Sequence, residues 1–226
     1  MDPKVKALIE REYAAQKSQE WLNLRNTMLT ASDVATVLGQ NPYEGPDGLL
    51  LKKCGLKKFS GNRATFHGEE YEDIAREMYD KQRGEKTHEI GLCPHPIHSW
   101  LGGSPDGVTE SGRLVEIKCP LSRNIDEDGK IPHHYMAQVQ LLMHILDLPV
   151  CDFIQYKPLK ISFPKPEQFT IYEVPRDPNW LDTHIGTLRT FWDRVLWHRA
   201  NPGHLQAPKK REPKEKKDKS VVVCEL

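Results

Sequence analysis

The stretch from Ser104 to Lys118 limits what the chain can become more than any other. Ser104-Pro105-Asp106-Gly107 leads into Val108-Thr109. Glu110-Ser111-Gly112 then supplies a tight turn with Gly112 free to take positive φ, and Leu114-Val115-Glu116-Ile117-Lys118 returns as a second strand. Side chains alternate across a strand, so Glu116 and Lys118 share one face and Ile117 points to the other. A hairpin that starts at Asp106 and returns through Glu116 brings both carboxylates to one edge of a sheet. Carboxylates that close repel unless a cation lies between them. Hard oxygen ligands with room for water suit Mg²⁺ or Mn²⁺. A lysine beside them can orient or deprotonate water, which completes a kit for metal-assisted phosphodiester hydrolysis. Taken singly the pieces are ordinary: Pro-Asp-Gly is a common turn, and a Glu-x-Lys strand is usually a solvated sheet face. In this order, ten residues apart across one hairpin, they form a P-D-(x)n-E-x-K pattern that reads as a nuclease-type site.

A sheet of this kind needs a core. With 226 residues, 38% hydrophobic and 8% aromatic, the chain can build one. The expected organisation is a single domain over residues 1–208 and a charged, disordered tail over 209–226. The net charge is zero but uneven: of 32 Lys/Arg and 32 Asp/Glu, the tail holds seven and four, which leaves 25 and 28 in residues 1–208. A nucleic-acid enzyme of this balance must gather its basic residues in a groove and use bound metal to offset an acidic site. The tail reads equally as a nuclear-import signal, a nonspecific DNA tether or a solubilising segment, and Val221-Val222-Val223 could dock on a partner. Cys54, Cys93, Cys119, Cys151 and Cys224 are scattered without a Cys-x-x-Cys, which points to reduced thiols in a cytoplasmic or nuclear setting. Cys93-Pro94-His95-Pro96-Ile97-His98 matches no common zinc spacing. No apolar run is long enough to span a membrane and Met-Asp-Pro-Lys is no signal peptide, so no membrane partner is expected.

In chain order, residues 4–17 have helical spacing, with Val5, Leu8, Ile9 and Tyr13 on one stripe. Ser18 to Arg25 continues as a second short helix. Thr30-Ala31-Ser32-Asp33 reads as a capping box and Gly39 as the helix stop. Such a start offers free N–H groups to a phosphate, with Ser32 in the first turn and Arg25 just upstream. Each alone would be a helix-start serine and a surface arginine. Gly45 to Gly55 holds another short helix. Lys57 to Arg63 is a basic loop with one aromatic, a DNA-backbone contact or a solvated loop. The strongest helix spans about 65–83, with Tyr71, Ile74, Ala75 and Met78 as the buried stripe, Glu72 paired to Arg76 at i+4, and Gly68 permitting a close approach. Lys86 to Cys93 reads as the first strand, and Ser99 to Gly103 as the lead into the hairpin. Ile131 to about Asp147 is a largely buried helix whose odd polar members, Gln138 and Gln140, need partners that a site facing the hairpin would provide. Val150–Lys157 and Gln168–Val174 read as strands, and Asp177–Ala200 as a long amphipathic helix.

These residues together resemble the bacteriophage lambda exonuclease and YqaJ-like viral recombinase family of PD-(D/E)XK nucleases. Four blocks carry the resemblance: Trp21-Leu22-Asn23-Leu24-Arg25 through Asp33; Gly68 through Arg76; Ser104-Pro105-Asp106-Gly107 with Glu116-Ile117-Lys118-Cys119-Pro120; and Tyr135-Met136-Ala137-Gln138-Val139-Gln140. The resemblance implies an α/β (α+β) fold, a central mixed β-sheet flanked by helices with a restriction-endonuclease-like core. It implies a 5′→3′ exonuclease that digests one strand of double-stranded DNA from an end, serving DNA recombination and repair. It implies Mg²⁺, with Mn²⁺ substituting and two metals bound. Carried over by position, Asp106 and Glu116 would be metal ligands with the carbonyl of Ile117, Lys118 would position the attacking water, and Glu72 would reach a second metal. Gln138 would steady the lysine or the nucleophile, and Arg25, Ser32 and Ser104 would hold the terminal 5′-phosphate. A ring-like trimer and a single-strand annealing protein as partner are family expectations too. His67 stands where an aromatic is expected before Gly68, and the tail matches no family motif.

Two rivals remain at this point. One is another nuclease of the same superfamily, an endonuclease or an iron–sulfur enzyme, and the scattered cysteines speak against the cluster. The other is a nonenzymatic DNA-end-binding protein using the tail and Lys57 to Arg63. The intact Asp106, Glu116 and Lys118 set speaks against that, since a binder has no need of it.

Overall fold

The computed structural model describes residues 1–57, 61–126, 128–159 and 166–205. The proposed tail, Cys224 and Val221 to Val223 lie outside them, as do Lys58, Phe59 and Ser60 of the basic loop. In chain order the elements are α1 (Pro3–Glu10), α2 (Gln19–Asn26), β1 (Leu29–Thr30), α3 (Ala31–Val37), α4 (Pro46–Lys53), α5 (Arg63–Arg83), β2 (Thr87–His88), β3 (Cys93–Pro94), β4 (Leu101–Gly103), β5 (Gly107–Thr109), β6 (Leu114–Lys118), α6 (His133–Leu146), β7 (Val150–Lys157), β8 (Gln168–Pro175) and α7 (Trp180–Ala200).

The strands form two mixed sheets. The smaller has the order β1-β4-β3, with β1 parallel and β3 antiparallel to β4. The larger has the order β2-β5-β6-β7-β8, antiparallel except for the central β6–β7 pair. A parallel pair needs a covered crossover, and α6 supplies it. The β5–β6 hairpin turns through Gly112 at φ 84°, as its turn residues require.

The larger sheet is the middle layer. Leu114, Cys151 and Phe153 face a core shared with α3, α6 and α7. Val115, Ile117, Ile154 and Tyr156 face Ala75 and Tyr79 of α5 on the other side. With both faces covered, β6 and β7 read as nearly continuous buried runs. Gly103 is needed where β4 meets the helices. A Cβ there would lie 2.5 Å from Leu142 and 3.1 Å from the Cβ of Ala31.

Several expectations are corrected. The first helix ends at Glu10 rather than at residue 17. The chain leaves it so that Tyr13 lies over Gly91, whose missing side chain admits it, and Gln16 reaches the carbonyl oxygens of Ile90 and Pro105. Residues 86–93 are not one strand. Thr87–His88 pairs with β5 and Cys93–Pro94 with β4, in different sheets, and β1 precedes both. Helix α5 starts earlier, at Arg63, capped by Asn62 in a box with Thr65. Its buried pair is Ala75 and Tyr79, while Ile74 is exposed. A Cβ on Gly68 would meet nothing within 4 Å, so no close approach explains this glycine. Gln140 faces away from the hairpin, donating to the Pro175 carbonyl and accepting from the Asp177 N–H. Among the described residues no helix is long and apolar enough to cross a membrane.

The orientation of α5 follows from Asp152, which has no exposed surface. Its carboxylate accepts hydrogen bonds from the Tyr79 hydroxyl (2.6 Å), Arg83 (2.9 Å) and the fork of Arg113 (2.7 and 2.8 Å). Burial pushes its pKa up, but Arg113, Tyr79 and Arg83 outweigh burial and hold it below the usual range. Replacing Asp152 by Asn leaves two guanidinium groups facing a neutral amide. The expected cost is about 3–5 kcal/mol at neutral pH, read from urea unfolding. The carboxylate's contribution is full above its unfolded pKa of about 3.9 and is lost as pH falls through the lower folded value. The gap between wild type and Asp152→Asn therefore closes in acid.

Candidate active site

The hairpin puts Asp106 just before β5 and Glu116 on β6, and one backbone contact sets them against each other. The Ile117 N–H donates to Asp106 Oδ2 at 2.6 Å. Glu116 points to the α6 side of the sheet and is fully buried. Lys118 and Gln138 both donate to its Oε1. Its Oε2 is buried, with no hydrogen-bond partner among the described residues. Lys118 also stands 3.8 Å from Asp106 Oδ2 and 5.5 Å over the ring of Tyr135.

Asp106, Ile117, Lys118, Tyr135 and Glu72 of α5 line one cleft of about 260 Å³. Glu72 pairs with Arg76 at 3.2 Å, the i+4 contact expected from the helix. Burial, then the charge of Asp106, pushes the Glu116 carboxyl up to about 8 and that of Glu72 up to about 7. Burial works against the charge on Lys118, but Glu116 and Asp106 hold its pKa above the ordinary lysine value. Acidic groups that resist ionisation beside one another, with a buried oxygen left over, fit a divalent cation. Among the described residues no three His, Cys, Asp or Glu side chains are drawn together as a finished cage, and Lys118 bridges the two hairpin carboxylates.

A second cluster stands on α2 and α3. Arg25 donates to Ser32 Oγ at 2.9 Å and to Thr30 Oγ1 at 3.3 Å. Its guanidinium lies 4.4 Å from the Trp21 ring, and the Trp21 indole N–H donates to Ser104 Oγ at 3.0 Å. Ser104 therefore joins Arg25 and Ser32 through Trp21. With its oxygen accepting from the indole, its own proton remains available to an anion. A cleft of about 120 Å³ is lined by Ser32 of this cluster and by Tyr135 and Gln138 of the first.

The structure thus gathers Asp106, Glu116, Ile117, Lys118, Glu72 and Gln138 in one place, with Arg25, Ser32 and Ser104 in a neighbouring one. Sequence reasoning missed the supporting residues. Trp21 stands four residues before Arg25 on one helix, a spacing that places the ring against the guanidinium and was the available signal. Tyr135 of α6 lies under the Lys118 ammonium of β6, a long-range contact with no local signal in the sequence. In the basic loop, Lys57 is engaged with Glu44 at 3.0 Å.

The YqaJ-like viral recombinase domain matches residues 20–148, which include every residue of both clusters, and the chain belongs to that family. It is 36% identical over 159 residues to protein R354 of Acanthamoeba polyphaga mimivirus, covering 63% of this chain and 29% of that protein. It is 30% identical over 158 residues to protein D345L of African swine fever virus (strain Badajoz 1971 Vero-adapted), covering 55% and 44%. The chain therefore spans less than half the length of either relative. Among solved structures, an alkaline exonuclease (LHK-Exo) from Laribacter hongkongensis superposes with a TM-score of 0.70 at 26% identity, over 83% of this chain and 97% of that one. The same enzyme in complex with dAMP gives a TM-score of 0.69 at 27% identity, over the same shares of the two chains. A phage-related exonuclease from Haemophilus somnus 129PT shares the fold, with a TM-score of 0.54 at 17% identity over 78% and 98%. The α/β architecture with two mixed sheets is that of PD-(D/E)XK-like exonucleases.

The second cluster rests on a half-buried ion pair, its side chains 9% and 14% exposed. Asp33 Oδ2 takes Lys53 Nζ at 2.7 Å and the Thr30 N–H and hydroxyl at 2.9 and 2.6 Å. Lys53 also donates to the carbonyls of Met28 (3.0 Å) and Arg25 (3.3 Å), which ties the end of α2 to the start of α3. Burial raises the Asp33 pKa, but Lys53 and Thr30 bring it below the ordinary value. Lys53→Met keeps the volume and removes the cation beneath Asp33. We expect a loss of about 3 kcal/mol in urea unfolding, since a buried charge without its partner is costly.

Proposed function

We propose that this member of the YqaJ-like viral recombinase family is a metal-dependent 5′→3′ exonuclease. It digests one strand of linear double-stranded DNA from a 5′-phosphorylated end, in DNA recombination or repair. The observation that carries the reading is the pair of neighbouring clusters: Asp106, Glu72 and Lys118 line one cleft, with the buried Glu116 bonded to the lysine, and a guanidinium with two hydroxyls stands beside a second, short cleft. The family and the alkaline exonuclease neighbours support the nuclease. The second cluster supports the choice of end, because it offers donors to a terminal phosphate and no base-edge contact.

Asp106, Glu116 and the Ile117 carbonyl would hold Mg²⁺, with Mn²⁺ substituting, and Glu72 would reach a second ion. Bound there, the cations would polarise the scissile phosphate and neutralise the charge that develops on it. Lys118 is protonated between Glu116 and Asp106 and is placed to orient a water for in-line attack. Gln138 fixes the Glu116 carboxylate from α6. Arg25, Ser32 and Ser104 hold the terminal phosphate, with Trp21 keeping the guanidinium flat. Residues 1–208 form the nuclease unit in this proposal, with 209–226 as an appended tail. Assembly as a ring-like trimer and pairing with a single-strand annealing protein belong to the same reading and are supported by family membership alone.

The test is a time course on linear duplex carrying a 5′-phosphate or a 5′-hydroxyl, with Mg²⁺ or EDTA, beside a closed circle. The expected result is metal-dependent release of mononucleotides from the phosphorylated end with the circle intact; nicking of the circle would make the protein an endonuclease. Lys118→Ala is expected to abolish turnover while DNA binding persists, and loss of binding instead would make the lysine a phosphate contact. Arg25→Ala is expected to erase most of the preference for phosphorylated ends, a loss of about tenfold or more in kcat/KM on those ends and little change on hydroxyl ends.

A further inference from the structure

The short cleft lined by residues of both clusters has one wall with no role so far. It is bounded by Ser32, Asn41, Tyr43, His134, Tyr135 and Gln138. Tyr43 is 79% exposed, which is unusual for an aromatic ring beside a cleft. Its backbone is nevertheless fixed. The Tyr43 N–H donates to Asn41 Oδ1 at 2.9 Å, and the Asn41 amide donates to Thr36 Oγ1 of α3 at 2.8 Å. The ring meets His134 edge-on, with centroids 5.8 Å apart and planes at 90°. His134 lies 4.1 Å from Tyr135, which in turn carries the Lys118 ammonium. His134 Nε2 is buried and has no hydrogen-bond partner among the described residues. An aromatic row therefore runs from the open rim to the lysine.

The position selects the occupant. Ser32 belongs to the phosphate-facing cluster, and Gln138 holds Glu116. A nucleotide with its 5′-phosphate on Arg25 and Ser32, and its 3′-phosphodiester at Glu116, has only its sugar and base left to place, and this cleft lies between. We propose that Tyr43 and His134 form the wall on which the unpaired base of the 5′-terminal nucleotide stacks. They are then specificity-determining contacts for the substrate end. The inference rests on the exonuclease reading above and extends it from the phosphate to the base. Stacking accepts any base, because every base has a π-face, and it favours the bases that stack more strongly. It adds an attraction that needs no sequence readout.

The experiment uses the full chain as wild type, Tyr43→Phe and Tyr43→Ala. Substrates are 5′-phosphorylated duplexes whose terminal nucleotide carries either adenine or no base. In parallel, 2-aminopurine is placed at the terminal position, and its fluorescence is read in EDTA at protein concentrations shown by anisotropy to saturate the DNA. Tyr43→Ala is expected to lower kcat/KM about tenfold on the adenine end, in line with the value of one base–aromatic stack. Tyr43→Phe is expected to stay near wild type, and all three proteins to be equal on the abasic end. The 2-aminopurine should be quenched by wild type and Tyr43→Phe and stay bright on Tyr43→Ala. An equal loss on both ends would make Tyr43 a structural support, and saturated binding without quenching would place the base elsewhere; either result overturns the proposal. Should no protein cleave either duplex, the exonuclease reading falls, while the fluorescence, read without divalent metal, still decides the stacking wall.

Discussion

Glu116 is a carboxylate with no exposed surface, set in the middle of a sheet, and the rest of the centre is arranged around containing it. Burial and the nearby Asp106 push its pKa to about 8, so its ionised form strains the fold. Lys118 from the same strand and Gln138 from α6 both turn onto one oxygen, leaving the other without a partner among the described residues. The Ile117 N–H holds Asp106 at the neighbouring corner. Gly103 lets α6 close down from above, with Leu142 in the space a side chain would take.

The same sheet holds a second buried acid one register position away, and the contrast is instructive. Asp152 lies opposite Val115 while Glu116 lies opposite Phe153, so the two acids face opposite layers. Asp152 is met by two arginines and a tyrosine, and its pKa falls. Glu116 is met by one lysine and one amide beside another acid, and its pKa rises. The first arrangement is closed on itself and fastens α5 to the sheet. The second leaves one oxygen of a buried carboxylate over, and in the proposed function a divalent cation takes that place.

Features governed by local rules could be read from the sequence. The hairpin from Asp106 to Lys118 follows from turn residues and alternation, and the helix start at Thr30 from its capping box with Asp33. Strand parity, which puts Glu116 and Lys118 on one face, is also local, whereas Glu72 and Ser104 come from the family resemblance and not from any local rule. Features set by distant partners could not be read. Nothing near Tyr13 announces that Gly91 will receive its ring, and nothing in residues 86–93 says that the two ends pair into different sheets. Gln140 is a different kind of miss. Two residues along a helix is a turn of about 200°, so Gln138 and Gln140 could never have shared one partner. That information lay in the periodicity.

The central parallel pair also sets a clock. Asp106 and Glu116 belong to a short hairpin, and an isolated two-stranded hairpin is marginal in water. Its outer neighbour β2 is only two residues long, so the stable support for β6 is β7, which arrives after the whole of α6. During synthesis the acids, the lysine and Gln138 are all made before Val150–Lys157 exists to hold them in register. The centre is therefore assembled late. A ribosome-bound fragment that ends before this strand carries every residue of the centre and lacks the sheet that brings them together.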